Sequence, residues 1–347
     1  MLFRSVKKDD EMVKGENYVF DNKNGKADSV SVREAHKITL ELKKEIGNAF
    51  FGQEKVVDSL IRALLCNGHV LLEGVPGIAK TLAIRTLAQV SGCTFSRVQF
   101  TADLLPTDIV GLATYDPQKG FEIAKGPIFA HFIIADEINR SPPKTQSALI
   151  EAMQEGQVTI GKTTFPLPRP FFVMANQNPI ETEGVYSLPE AQIDRFLFKI
   201  TMDYPEEVHE ERMMSENATF RKFEEYNIKS IISPKEIFQL QQLTHKIYLD
   251  KKIKKYILDI VKRTRTKDFT NGEYVELGCS PRASIALYIA SKAEALMNGR
   301  NYAIPKDVKS VVYDVLRHRL MLSYRARSDK VTSEKIISEI MKIVHTS

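Results

Sequence analysis

A chain of 347 residues can hold one large α/β domain and a smaller second domain, each with its own core. Hydrophobic residues at 43% and charged residues at 27% exclude a disordered or fibrous protein, and no apolar stretch approaches the ~18–20 residues of a membrane span. The net charge of +5 is mild, and three widely spaced cysteines exclude a disulfide framework and a cysteine-rich metal site.

The N-terminal segment is polar and charged, which predicts a loose tail over residues 1–30. Lys7 and Lys8 precede no apolar run, so we expect no secretory signal. Together with the few cysteines, this predicts a cytoplasmic protein. Apolar residues at helical spacing then predict a helix between Val32 and Phe51, which leads into Gly52-Gln53.

Five short apolar runs alternate with helical stretches along the next part of the chain. The runs are Val70–Leu72, Phe95–Phe100, Phe132–Ala135, Phe171–Ala175 and Phe196–Ile200. Strands that are buried on both faces have this appearance, and their alternation with helices predicts a five-stranded parallel sheet in an αβα domain.

From Pro234 onward only helical periodicity is present, so we predict an all-helical second domain. Pro281 and Pro305 lie near predicted helix starts, where a missing N–H is harmless. Basic residues of the segment from Lys251 to Arg265 indicate the solvated face of an amphipathic helix rather than a nucleic-acid patch. The predicted boundaries are 31–215 for the αβα domain, 216–231 for a linker and 232–347 for the helical domain.

The first apolar run leads into a glycine-containing loop and then into a helical stretch, which is the context of a phosphate loop. The loop comprises Gly74, Val75, Pro76, Gly77, Ile78, Ala79, Lys80 and Thr81, with Leu82 opening the helix. Its backbone N–H groups can converge on phosphate, while Lys80 offers a charge and Thr81 a hydroxyl ligand for Mg²⁺. Ala79 replaces the glycine of the strict pattern, so an ordinary strand–helix turn is the alternative.

The third apolar run ends in Asp136-Glu137, and charge at the end of a buried strand needs a partner. Asp136 can hold Mg²⁺, usually through water, and Glu137 can act as general base toward the attacking water. The alternative is a helix-capping aspartate beside a surface glutamate, because Pro142-Pro143 signals a helix start nearby. The phosphate loop upstream favours the catalytic interpretation.

Several further segments match the motifs of one family. Besides the phosphate loop, they are Gly126–Phe129, Ala135–Arg140, Pro142–Gln146, Gln177–Glu181 and Leu188–Phe196. Together they resemble the MoxR family of AAA+ ATPases, from about Gly52 to Arg282. Ala79 is usual in that family. The resemblance implies a P-loop AAA+ core with a helical lid domain.

The resemblance also implies roles for individual residues. Asn178 matches the sensor asparagine that orients the hydrolytic water, and Asn176 is a neighbouring alternative. Arg195 matches the arginine finger that reaches the adjoining subunit's nucleotide, and Arg282 matches the sensor arginine of the lid. Gln53, after Gly52, resembles the segment that packs near the adenine.

Each of these residues also has a purely structural interpretation. Asn178 could form a turn before Pro179. Arg195 could pair with Asp194 or Glu190 on the surface. Arg282 could cap a helix.

Two hairpins are also predicted, one over about 103–126 and one over 157–165. The first resembles the insertion into the second helix that marks this AAA+ clade. Either hairpin could touch a client protein, although surface loops without such a role are the default.

The implied function is Mg²⁺-dependent ATP hydrolysis in a ring, expected to be a hexamer, that remodels or matures other proteins. The resemblance implies partners with von Willebrand A domains, and it leaves the client open. A nucleotide-gated binding module is an alternative, which Glu137 and Arg195 disfavour. A DNA-transacting motor is another, which the lack of a basic-aromatic stripe or zinc motif disfavours.

Overall fold

The computed structural model describes residues 30–74, 80–117, 120–178, 184–204, 206–216 and 223–346. The predicted tail up to residue 29 and the middle of the predicted phosphate loop, residues 75–79, lie outside these ranges.

Helices and short strands alternate along the described chain. The helices are α1 (Val32–Ile46), α2 (Glu54–Leu65), α3 (Lys80–Val90), α4 (Pro106–Val110), α5 (Pro143–Glu155), α6 (Glu190–Ile193), α7 (Glu207–Glu216), α8 (Pro234–Lys246), α9 (Lys251–Thr266), α10 (Pro281–Met297), α11 (Pro305–Leu316), α12 (Tyr324–Ser328) and α13 (Ser333–Ile343). The strands are β1 (Val70–Gly74), β2 (Phe95–Gln99), β3 (Gly111–Asp116), β4 (Gly120–Lys125), β5 (Phe132–Asp136), β6 (Gln157–Ile160), β7 (Thr163–Pro166), β8 (Phe172–Gln177), β9 (Phe198–Met202), β10 (Val275–Leu277) and β11 (Met321–Leu322).

All five predicted core strands belong to one parallel sheet, in the order β2-β5-β8-β1-β9. Alternate residues of β5 contribute to separate apolar cores, with Phe132 and Ile134 on one side and Ile133 and Ala135 on the other. The sheet is therefore covered on both faces, which explains why its strands read as unbroken apolar runs. The predicted αβα core is confirmed.

The lid is built mainly from α8 to α11 and α13, as predicted. Ser233 and Glu236 form a reciprocal capping box at the start of α8, and Pro281 and Pro305 open α10 and α11. On α9 the lysines face solvent while Ile253, Tyr256, Ile257, Ile260 and Val261 are buried, which confirms the solvated basic face.

The lid also contains a short antiparallel pair that the sequence did not predict, so it is not purely helical. β10 pairs with β11 through Val275 and Leu322. Strands of two or three residues are too short to show an alternating apolar pattern.

Both predicted hairpins are present, as β3–β4 and β6–β7. Gly111 opens the first hairpin with φ 104°, and a Cβ at this position would come 2.2 Å from the carbonyl oxygen of Ala124. Glycine is therefore required where the chain enters this hairpin.

The three cysteines behave as apolar core residues. Cys66 and Cys279 are buried, and Cys93 is half-buried. Burial raises the pKa of Cys66 and Cys93 to about 12 and that of Cys279 to about 11, so the thiols stay protonated at neutral pH. Within the described ranges, no group of three or more His, Cys, Asp or Glu side chains is arranged to hold a metal ion. None of the helices in these ranges is long and apolar enough to cross a membrane.

We expect His69, which precedes β1, to make the stability of the fold depend on pH. Its Nε2 lies 3.0 Å from the carbonyl oxygen of Met153, and its Nδ1 accepts a hydrogen bond from the backbone N–H of Val173 at 3.1 Å. This is the hydrogen-bonding pattern of a neutral ring. Desolvation lowers the pKa of His69 to about 4. As the pH falls below about 6.5, the unfolded chain takes up this proton first, and the native state loses stability.

Urea unfolding of the parent and His69→Gln measures this effect. The free energy of unfolding of the parent minus that of His69→Gln should decrease by about 1–2 kcal/mol as the pH falls from about 7.5 to about 5. The range allows for partial exposure of the ring. A difference that stays constant across this interval would contradict the assignment.

Candidate nucleotide site

Three of the predicted motifs lie at the carboxyl edge of three neighbouring strands. β1 ends at Gly74, β5 ends at Asp136, and Asn178 directly follows β8, which lies between them. Ligands of open α/β sheets bind beyond the carboxyl ends of the strands. The fold therefore collects three motifs that are far apart in sequence.

The described ends of the predicted phosphate loop are joined by a side chain. Lys80 is the first residue of α3, and its Nζ donates a hydrogen bond to the carbonyl oxygen of Gly74 at the end of β1. Thr81 and Leu82 complete the first turn of α3 and are partly exposed. A partly exposed helix N-terminus next to a lysine ammonium is a suitable place for phosphate.

The carboxylate of Asp136 is held on both sides. Arg97 of β2 donates to Oδ2 through Nε, at 2.9 Å, and through Nη2. The Nδ2 of Asn176 donates to Oδ1. Mg²⁺ takes oxygen ligands and keeps several waters, so the Thr81 hydroxyl and this anchored carboxylate fit its chemistry.

Glu137 diverges from Asp136 because its backbone is left-handed, with φ 56° and ψ 49°. This conformation is uncommon for glutamate, and it is stabilised by a hydrogen bond of 2.7 Å from the Glu137 N–H to Oδ1 of Asn176. The Glu137 carboxylate accepts a hydrogen bond from Gln99 Nε2 at 2.8 Å and lies 3.0 Å from Nε of Arg140. The two adjacent carboxylates therefore have different partners.

The sequence did not predict the roles of three residues that contact the acidic pair, Arg97, Gln99 and Arg140. The parallel register opposes Gln99 to Asp136, which places β2 side chains beside the acidic pair. Polar residues that alternate with apolar ones in β2 are the sequence signal that could have indicated this.

The two candidate sensor asparagines have different surroundings. Asn176 is 3% exposed and bridges the Asp136 side chain and the Glu137 backbone. Asn178 is also buried and lies one residue beyond β8, at the edge where the phosphate loop begins. Asn176 thus orients the acidic pair, and Asn178 stays the predicted sensor. The Pro179–Glu181 part of its motif lies outside the described residues.

Arg195 follows the short helix α6 and is half-buried. Within the described part of the chain, its Nε has no hydrogen-bond partner. The Asp194 carboxylate instead accepts hydrogen bonds from Ser280 and Arg319. These contacts disfavour the surface pairing of Arg195 with Asp194.

Arg282 lies in the first turn of α10, whose cap is Ser280. Its Nη1 is 3.7 Å from Oδ2 of Asp194, and the side chain remains 47% exposed. Arg282 therefore lies on the lid side of the boundary between lid and core, with its charged end free to change partner.

Gln53 is the N-terminal cap residue of α2, and its Nε2 donates to the carbonyl oxygen of Asp203 at 2.8 Å. A cavity of about 120 Å³ lies beside it, lined in part by Gly52 and by His209 of α7. A Cβ on Gly52 would approach the His209 ring to 2.6 Å, so this packing requires glycine. The cavity is compatible with the predicted adenine position.

A larger cavity, of about 690 Å³, contains none of the predicted site residues. It lies between α3 and the turn at Phe223–Tyr226. Cavity volume alone would therefore not have indicated the predicted residues.

The sheet order, the lysine at the start of α3, the acidic end of β5 and the helical lid together define a P-loop ATPase of the AAA+ class. Residues 69–198 match the family described as "ATPase family associated with various cellular activities (AAA)". Residues 268–340 match the "AAA lid domain".

Known proteins resemble the chain over most of its length. It is 45% identical to "Chaperone MoxR1" of Mycobacterium tuberculosis over 305 residues, covering 86% of this chain and 80% of the relative. It is 27% identical to "Protein MoxR" of Methylorubrum extorquens over 313 residues, covering 84% and 91%. A crystal structure from Cytophaga hutchinsonii superposes with a TM-score of 0.84 at 41% identity and covers 91% of this chain and 97% of that one. The chain belongs to the MoxR family of AAA+ ATPases.

Proposed function

We propose that this protein hydrolyses ATP with Mg²⁺ in a ring of subunits and uses the turnover to remodel or mature other proteins in the cytoplasm. The observation that carries the proposal is that the phosphate-loop lysine Lys80 and the acidic pair Asp136-Glu137 lie at the same edge of the sheet. Binding alone would need no base, so Glu137 favours hydrolysis over a nucleotide-gated binding module.

Each residue contributes a separate part of the reaction. Lys80 and the N-terminus of α3 would bind the β- and γ-phosphates, and Thr81 and Asp136 would hold Mg²⁺. When bound, Mg²⁺ neutralises charge on the phosphate oxygens.

Glu137 would accept a proton from the attacking water, which Asn178 orients. The water oxygen bonds to the γ-phosphorus as the bond to the β,γ-bridging oxygen breaks, giving ADP and phosphate. Asn176 supports this step indirectly, because it holds both Asp136 and the backbone of Glu137.

A ring follows if Arg195 completes the site of the next subunit. The Arg195 side chain is half-buried, and no described residue forms a hydrogen bond with its enclosed Nε, so we propose that the outer part of the guanidinium binds a phosphate of a neighbouring molecule. Arg282, on the lid, would approach the γ-phosphate of its own subunit. We propose a hexamer, as the family resemblance implies. Partners with von Willebrand A domains belong to the same proposal, as the family resemblance implies. So does a protein client, which the name "Chaperone MoxR1" of a relative supports.

ATP is expected to strengthen this assembly, because a ligand that contacts two subunits links its own affinity to theirs. Sedimentation of Glu137→Gln with and without Mg²⁺-ATP measures the effect. We expect ring-sized species to appear at lower protein concentration with ATP, and no such shift for Lys80→Ala, which lacks the phosphate-binding charge. A monomer that persists at all concentrations with ATP would contradict the ring.

A further inference from the structure

The carboxylate next to the predicted finger is bound by the lid. Asp194 immediately precedes Arg195, and its Oδ1 accepts a hydrogen bond from Nε of Arg319 at 2.9 Å. Its Oδ2 accepts one from the Ser280 hydroxyl at 2.8 Å and lies 3.7 Å from Nη1 of Arg282. Three lid side chains thus converge on one core residue.

Arg319 also holds the backbone around Arg195. Its Nη2 donates to the carbonyl oxygens of Phe196, at 2.5 Å, and Asp194, at 3.2 Å, and its Nη1 donates to that of Leu197, at 3.0 Å. The Arg319 side chain is only 3% exposed. A guanidinium donates in a fixed planar fork, so these bonds determine the direction of the chain from 194 to 197.

The same guanidinium also forms a hydrogen bond within the lid. Nη1 of Arg319 also donates to the carbonyl oxygen of Val315 in α11, at 2.5 Å. Ser280, which binds Asp194, also caps α10 by accepting from the N–H of Arg282 at 3.2 Å. The start of α10 and the end of α11 are therefore both fastened to Asp194.

We propose that the Asp194–Arg319 ion pair is a positioning device that sets Arg195 according to the position of the lid. Arg282 is exposed and touches Asp194 only at 3.7 Å, so it can turn toward phosphate while the buried pair stays intact. The docked lid of one subunit would in this way hold in place the finger that the same subunit presents to its neighbour, whether or not its own site contains nucleotide. The inference rests on the proposed ring function, and it assigns Arg319 and Asp194 no contact with the nucleotide.

Mixed rings separate the two roles of a subunit. A Lys80→Ala subunit has no working site but supplies a finger, whereas an Arg195→Ala subunit has a site but no finger. Arg319→Lys is added either to the Lys80→Ala subunit, which is the finger donor, or to the Arg195→Ala subunit, which is the site donor. Lysine keeps the charge but cannot form the fork.

We expect Arg319→Lys in the finger donor to lower the restored turnover by about 100-fold, as a displacement of about 1 Å can do. In the site donor, whose own finger is already removed, we expect a change of less than about 3-fold. A merely structural role of Arg319 would lower turnover equally in both positions.

Arg317→Lys is the matched control. Arg317 lies two residues away and also joins the lid to the core, because its Nη1 donates to the carbonyl oxygen of Lys199 in β9 at 2.6 Å. It makes none of the contacts to 194–197 that Arg319 makes. Arg317→Lys in the finger donor should therefore not lower the restored turnover as Arg319→Lys does. Sedimentation and thermal unfolding of each variant confirm that the compared subunits fold and assemble.

Equal effects in the two positions, or no effect in the finger donor, would overturn the inference. Where Arg319→Lys does not assemble, Asp194→Asn, which keeps the shape of the side chain, takes its place with the same expected asymmetry. A parent mixture that assembles without regaining turnover would overturn the shared site and this inference with it. A parent mixture that regains turnover while Arg319→Lys has no effect would instead overturn only this inference and leave the shared site intact.

Discussion

Glu137→Gln is expected to bind Mg²⁺-ATP and to release almost no phosphate. Glutamine keeps the size and polarity of the side chain, and it can still hydrogen-bond near Gln99 and Arg140, but it cannot accept the proton of the attacking water. Removing a general base lowers the rate by about 10²–10⁴-fold. Phosphate release measured beside equilibrium binding of ATP separates the two effects.

Lys80→Ala should differ from Glu137→Gln by losing detectable ATP binding, because it removes the charge at the start of α3. For Glu137→Gln the matched control is Glu151→Gln, which makes the same chemical change at an exposed residue of α5. Parent-rate hydrolysis by Glu137→Gln would show that another group is the base.

Arg195→Ala is expected to lower turnover by about 10³–10⁵-fold, the effect of removing an arginine finger from phosphoryl transfer. Its affinity for ATP should stay close to that of the parent, because Lys80, Thr81 and Asp136 of the same subunit are unchanged. Steady-state turnover and ATP titration together measure this. The control is Arg327→Ala, which removes an exposed arginine of α12. A large loss of ATP affinity in Arg195→Ala would place this arginine at its own subunit's site.

Elements whose burial follows a simple rule were predictable from the sequence. β5 and β8 are covered by apolar cores on both faces, so each appears as an unbroken apolar run. The placement of the phosphate loop and Asp136 at one edge of the sheet also followed, because parallel strands bring their carboxyl ends to one edge. The helices of the lid were predictable from their prolines and apolar spacing.

Contacts that depend on register or on packing between domains were not predictable. Arg97 meets Asp136 only because β2 lies beside β5 in a particular register. Arg319 and Asp194 are 125 residues apart and meet only when the lid packs on the core. The polar residues of β2 are the one local signal for the first pair, and no local pattern marks the second, because isolated charged residues normally lie on solvated surfaces.

The central claim is that two subunits complete one ATP site, and a mixture of Lys80→Ala and Arg195→Ala subunits tests it most directly. Each variant alone should be nearly inactive. In mixed rings, Arg195 of a Lys80→Ala subunit should face an intact site of an Arg195→Ala subunit, so phosphate release should reappear and vary with the mixing ratio. A mixture that is proven to co-assemble and yet stays as inactive as its components would contradict the account.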